Sequence, residues 1–225
     1  MAQFQQHLLE WYGKHGRSFP WRDTSDGYAV LVAEKLLQQT VVRQAVVDAY
    51  LEIMKRYPAP LELSRADPAD IEPLIRPLGF LYRARELVAM AQAIMSSYGG
   101  QVPRSIKGLM ALPGVGEYGA RAVLSFAFGE PIAIVDTNVA RLLYRLYGIP
   151  GTLPANPARK RRLVELADAL LARTRAKSYN LAVLDLCAMI CKPAKPRCTD
   201  CPVLAFCSFG RSRTGIDKVT KGVPD

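Results

Sequence analysis

Long apolar runs are missing. No uninterrupted apolar stretch in the 225 residues approaches the ~18 needed for a membrane-spanning helix. The opening residues, MAQFQQHLLEWYGKHG, lack a basic segment followed by an apolar one, so secretion is not signalled. Histidine occurs twice, at His7 and His15, both near the N-terminus and away from the acidic motifs, which weighs against a His-dependent hydrolase or a carboxylate–His metal nuclease. There is no GxxxxGK[ST] loop and no glycine-rich turn following a strand, which excludes the two common nucleotide-binding signatures. No alternation of strand and helix recurs, so a parallel α/β sheet is not expected. Cysteine is absent until position 187, and then all five crowd into 187–207. That odd, crowded set excludes a disulfide framework and points to a metal or cluster site in a reducing, cytoplasmic compartment.

Hydrophobic residues make up 50% of the chain and Lys plus Arg outnumber Asp plus Glu by 30 to 20, a formal charge of +10. A folded chain with this surplus is suited to a polyanion. Spacing near 3.6 predicts helices over 3–14, 28–39, 43–57, 82–98, 117–128, 136–147 and 160–171. Gly and Pro punctuate the breaks, and AIVD at 133–136 reads as an extended approach to a helix. The expected fold class is all-α, with one helical domain over 24–131 and another formed by 1–23 with 132–209. Residues 210–225 are expected to be a flexible tail.

Four cysteines follow the spacing Cys191-x6-Cys198-x2-Cys201-x5-Cys207. Four thiolates can hold zinc or an iron–sulfur cluster. A single tight Cys-x2-Cys with looser arms favours a four-iron cluster over the paired knuckles of a zinc site. Lys192, Lys195 and Arg197 lie within the loop and can face a phosphate while the sulfurs face inward. Cys187 has apolar neighbours and reads as a buried core thiol. LPGVG at 112–116, between IKGLMA and EYGARAVLSFAF, reads as a tight turn between two helices. Gly114 and Gly116 can take positive φ or admit a close backbone, and the amides from Val115 to Tyr118 would open the second helix without partners, a ready phosphate site. An ordinary helix–helix turn has the same spacing. No Lys stands in that first turn, so the hairpin offers no amine nucleophile.

Asp136, after PIAIV, can cap the helix that follows and can also activate water or face a developing cation. Glu34, in YAVLVAEKLLQQT, shares a face with Val30, Leu31, Leu37 and Gln38. A carboxylate there is costly unless paired, and burial would make it a proton donor. Lys35 points about 100° away from it around the helix. Gln38, Gln39 and Thr40, one turn on, can read base edges or fill an unstacked gap. Tyr118 can pack in the core or contact an inserted base. The runs Arg159–Arg162 and Arg173, Arg175, Lys177 read as a solvated face or as backbone contacts to DNA.

Together LPGVG, IVDTNVAR at 134–141, FPWR at 19–22, AEKLLQQT at 33–40 and the cysteine spacing resemble the helix-hairpin-helix (HhH-GPD) DNA glycosylase superfamily with a C-terminal [4Fe-4S] cluster. The resemblance spans about residues 4–209. It implies two helical domains with a DNA-binding cleft between them and a monomer acting on double-stranded DNA with a mismatched or damaged base. It further implies a cluster on Cys191, Cys198, Cys201 and Cys207, and excision of a flipped base. It assigns catalysis to Asp136, Glu34 and Tyr118. It assigns DNA contacts to Gln38, Gln39, Thr40, Leu112, Gly114, Val115, Gly116 and Arg141. Tyr118 stands where the oxidised-pyrimidine branch has Lys, which argues for a monofunctional enzyme. The thymine/uracil mismatch branch has Tyr there and is expected here, and Gln38-Gln39-Thr40 keeps the adenine branch (A opposite G or 8-oxoguanine) as the alternative. A cluster-bearing DNA-binding module without catalysis is the alternative of another class.

Overall fold

The computed structural model describes residues 2–216. Among them it is all helical, with no strand. Contacts divide the chain into two units, Ser18–Glu130 and a second formed by residues up to Arg17 with those from Pro131 onward.

In the chain's order, α1 is Ala2–His15, α2 Gly27–Leu37, α3 Gln44–Arg56, α4 Pro60–Ser64, α5 Pro68–Ile75, α6 Tyr82–Tyr98, α7 Ile106–Met110 and α8 Glu117–Phe126. Then come α9 Thr137–Tyr147, α10 Arg161–Leu170, α11 Ala176–Met189 and α12 Ser208–Thr214. The Ser18–Glu130 unit is built around α2, which is buried from Gly27 through Leu36 and packs against α3, α6 and α8. Asp26 caps it, accepting from the Tyr28 amide (2.9 Å). Gly27 sits where a Cβ would meet the Phe128 ring at 2.9 Å, so only glycine lets α2 start this close to its neighbour. The Tyr28 hydroxyl donates to the Tyr57 carbonyl (2.8 Å), and burial raises its pKa far above the usual phenol range.

Two short helices, α4 and α5, occupy a stretch where proline punctuation predicts a break. Pro60 and Pro68 stand at first helical positions, where the missing N–H costs nothing and the fixed φ suits the helix. Asp67 completes the start of α5 by accepting from the Ala69 amide (2.9 Å).

In the second unit α1 lays Phe4, Leu8 and Leu9 against a core that includes Leu142, Leu143, Leu163, Ala182 and Leu186. Just beyond α1, Arg17 binds the fully buried Asp185 carboxylate on α11 through its backbone amide (2.8 Å) and its guanidinium (2.7 Å). The expected flexible tail is corrected in part. Residues 208–214 are helical because the Cys207 sulfur accepts from the Gly210 amide (3.3 Å) and Phe209 lies under the Arg145 guanidinium (4.8 Å to the ring). Residues 217–225 of that tail lie outside the described residues. No described helix is long and apolar enough to cross a membrane.

Candidate active site and DNA interface

The extended stretch before Asp136 is held by side chains of its own unit. Asp168 accepts from the Ala133 amide (2.8 Å), and Asn180 donates to the Ile132 carbonyl (2.9 Å) and accepts from the Ile134 amide (3.4 Å). The chain therefore arrives at α9 in one position. Asp136 caps α9: Oδ1 accepts from the Val139 amide (2.7 Å) and Oδ2 from the Asn138 side-chain amide (2.8 Å). The carboxylate is half-buried, and two of its roughly four lone-pair positions are taken by these bonds. Asn138 in turn accepts from Arg141 (2.9 Å), whose other bonds go to the carbonyls of Cys191 (2.8 and 3.1 Å) and Cys187 (3.4 Å). An unbroken chain of hydrogen bonds thus runs from the Asp136 carboxylate to the first cysteine of the loop. Arg141, expected at DNA, is turned inward because α9 packs on α11 and its carbonyls are in reach.

The loop carries Cys191, Cys198, Cys201 and Cys207 as free thiols, like Cys187. Among the described residues no three His, Cys, Asp or Glu side chains converge to hold a single metal ion. The donor chemistry nevertheless suits a thiolate-held group. The Arg145 guanidinium donates to the Cys191 sulfur (3.3 Å), the Gly210 amide to Cys207, and the Val203 amide to Cys201. Burial, reinforced by neighbouring sulfurs, pushes the Cys201 thiol up to about 12. Lys192, Lys195 and Arg197 are exposed around it while Cys191 is buried, and Cys187 is a fully buried thiol donating to the Asn138 carbonyl (3.4 Å).

In the other unit LPGVG forms a tight turn between α7 and α8. Leu112 is buried in its core, not exposed as a contact residue. Gly114 has φ +70°, which favours glycine, whereas Gly116 has φ −91° and caps α8. A Cβ at Gly116 would meet nothing within 4 Å, so that face is open to a ligand. The amides at the start of α8 precede its own ladder, which begins with the Ala120 amide on the Gly116 carbonyl (2.9 Å), and the glycine cap has no side chain to accept them. Tyr118 is half-buried in that first turn.

Glu34 is buried (9% exposed) on α2. The polar run after it departs from expectation. The Gln38 side chain binds the Lys35 ammonium (3.1 Å) and the Gly114 carbonyl (3.0 Å), and Thr40 Oγ1 accepts from Arg83 (2.9 Å). These two are engaged within the fold, and Gln39 alone of the three is exposed. The organiser is Arg83 on α6, fully buried, which also donates to the carbonyls of Leu36 (3.0 Å) and Gln38. Its Nε has no hydrogen-bond partner among the described residues. Its guanidinium lies 4.8 Å from the ring centre of Phe80, itself 44% exposed. Gln39 (φ 53°) and Phe80 (φ 57°) are the two non-glycine residues with positive φ among those described. Phe80, Arg83 and Lys35 were not among the expected functional residues. Phe80 carried a faint signal in Gly79-Phe80, an aromatic placed directly after a turn glycine.

A fold of two helical units, a glycine-rich hairpin opening a helix and a carboxylate capping another define a class of helical DNA repair protein. The profile described as HhH-GPD superfamily base excision DNA repair protein matches residues 32–169, and the chain belongs to that superfamily. It is 40% identical over 213 residues to the thymine-DNA glycosylase of Aeropyrum pernix, covering 91% of this chain and 93% of that one. It is 37% identical over 220 residues to the thymine/uracil-DNA glycosylase of Pyrobaculum aerophilum, covering 96% and 95%. The solved structure of a thermostable thymine-DNA glycosylase superposes with a TM-score of 0.85 at 33% identity, covering 93% of this chain and 95% of that one.

Proposed function

We propose that this protein is a monofunctional DNA glycosylase that hydrolyses the N-glycosidic bond of thymine or uracil mispaired with guanine. The observation that carries the chemistry is the Asp136 carboxylate, fixed at the start of α9 by two hydrogen bonds with lone pairs to spare. Similarity to the two archaeal relatives along nearly the whole chain supports the substrate.

A mismatch lowers the cost of extruding the target nucleotide. Gln39 and Phe80, exposed and held at unusual backbone angles by one buried arginine, suit insertion into the gap it leaves. The open amides of α8 suit a backbone phosphate. As the C1′–N bond breaks, its electron pair leaves with the base and positive charge grows on the sugar. Asp136 stabilises that charge and takes a proton from the water whose oxygen bonds to C1′. Glu34 gives the departing base its proton.

Cys191, Cys198, Cys201 and Cys207 would hold a [4Fe-4S] cluster, which when bound ties the loop together with its irons capped by thiolates. The arrangement of exposed Lys192, Lys195 and Arg197 around buried sulfur supports a phosphate-facing knob.

The product tests the reaction class. Because Tyr118 stands at the hairpin exit and Lys35, whose ammonium reaches the turn at Gly114, is buried with three acceptors, the expected product is an intact strand bearing an abasic site. Free base should appear by chromatography with no break until alkali is added. Prompt scission with stoichiometric borohydride trapping of the protein would contradict this.

A further inference from the structure

Lys35 is 2% exposed, on a helix buried almost from end to end, and its chemistry is not used by the reaction proposed above. Its ammonium donates to Glu86 Oε2 on α6 (2.8 Å), to the Gly114 carbonyl (2.9 Å) and to Gln38 Oε1 (3.1 Å). The Gln38 amide reaches the same Gly114 carbonyl (3.0 Å). Two donors, one from α2 and one from the residue that ends it, thus converge on one carbonyl of the hairpin turn. The approach is so close that a Cβ on Gly114 would lie 2.1 Å from Lys35 Nζ and 3.1 Å from the Glu86 carboxyl carbon. Gly114 is therefore required twice over, by its φ of +70° and by the lysine against it. Gly116, two residues on, caps α8 and faces open space.

These facts have one physical consequence. A peptide plane whose carbonyl is held has its amide direction held as well. Pinning Gly114 O, together with the Val115 amide's own bond to the Leu112 carbonyl (3.1 Å), fixes the plane shared by Gly114 and Val115, which leads into the amides that open α8. An unpinned turn of this kind would lose conformational entropy on meeting a phosphate, whereas a pinned one meets it already ordered. The charge on Lys35 is compensated by Glu86, so the tether puts no uncompensated charge in the core.

We infer that Lys35 is a positioning residue for DNA binding: its buried ammonium, anchored on Glu86, holds the hairpin turn at Gly114 in its phosphate-receiving conformation. The inference rests on the glycosylase reading and deepens its hairpin.

The test is titration of a fluorescein-labelled undamaged duplex at several salt concentrations, with single-turnover rates on a G:T duplex at saturating protein. Lys35→Met should raise Kd about tenfold, as expected for loss of a charge-assisted hydrogen bond. It should flatten the log Kd–log salt slope by about one phosphate contact. The saturated rate should change by less than the affinity. Because Lys35→Met leaves the Glu86 carboxylate without its buried partner, Lys35→Met/Glu86→Met removes both charges and serves as the folding control, checked by circular dichroism and melting. It should fold and still show the raised Kd and flattened slope. Folded variants with wild-type Kd and slope would overturn the assignment, as would a fallen saturated rate with unchanged affinity. If neither variant folds, Lys35 is a structural residue and the inference is wrong. Wild-type protein that binds no duplex would overturn the glycosylase reading along with it.

Discussion

Asp136 caps α9 and in the proposed reaction also faces the forming cation, and a substitution can separate the two roles. Asparagine is as good a helix cap as aspartate, because its side-chain oxygen can still accept from the Val139 amide. It cannot take a proton from water or balance a forming cation. Asp136→Asn should therefore keep its melting temperature and duplex affinity while its single-turnover rate falls by about 10²–10⁴. A rate within a few-fold of wild type would remove Asp136 from the reaction. The cap was legible in the sequence, since PIAIVDTNVAR places an acid between an apolar approach and a helix. Arg141, three residues past the Asn138 that bridges it to Asp136, was not, because its carbonyl partners lie 46 and 50 residues away. The bonds of Gln38 and Thr40 within the fold were hidden for the same reason, their partners Gly114 and Arg83 being 76 and 43 residues distant. The 100° rotation of Lys35 from Glu34 does not by itself say whether its side chain is buried, and α2, buried almost all round, encloses it.

At the scale of elements, long helices with clear apolar periodicity were readable, and α6 matches its expected span of 82–98. Short helices begun by proline, α4 and α5, were hidden because the same residue that ends a helix also starts one. The α12 helix was hidden because it is held by contacts to Cys207 and Arg145 and not by a pattern of its own. Burial of α2 also makes a prediction about pH. Burial, the leading cause, and the nearby Asp26 carboxylate raise the Tyr28 phenol pKa, so the fold favours the neutral form. A group raised in this way contributes its stability below its unfolded value of about 10 and loses it as pH climbs towards the folded value. The melting temperature of the wild type should thus fall between about pH 9 and pH 11, and Tyr28→Phe should fall less over that interval. Equal losses in the two proteins would show that Tyr28 is not the group responsible.

At the scale of the whole molecule, the charge of +10 falls entirely in the unit formed by residues 1–17 and 131–225, the Ser18–Glu130 unit carrying as many acidic as basic residues. The runs at 159–162 and around the cysteine loop are exposed, and Arg161 already pairs with Glu165 (2.6 Å). The cluster proposed for the cysteine loop rests on the spacing of Cys191, Cys198, Cys201 and Cys207. Purified protein should contain about four iron and four sulfide per chain, whereas one zinc without sulfide would reverse the assignment. The central claim is the identity of the released base. It is tested most directly by single-turnover assays on otherwise identical duplexes carrying G:T, G:U, A:G or A opposite 8-oxoguanine, with the free base identified. Thymine and uracil opposite guanine should be released fastest and adenine slowest. Adenine released fastest, or no base released from any duplex that the protein binds, would contradict the account.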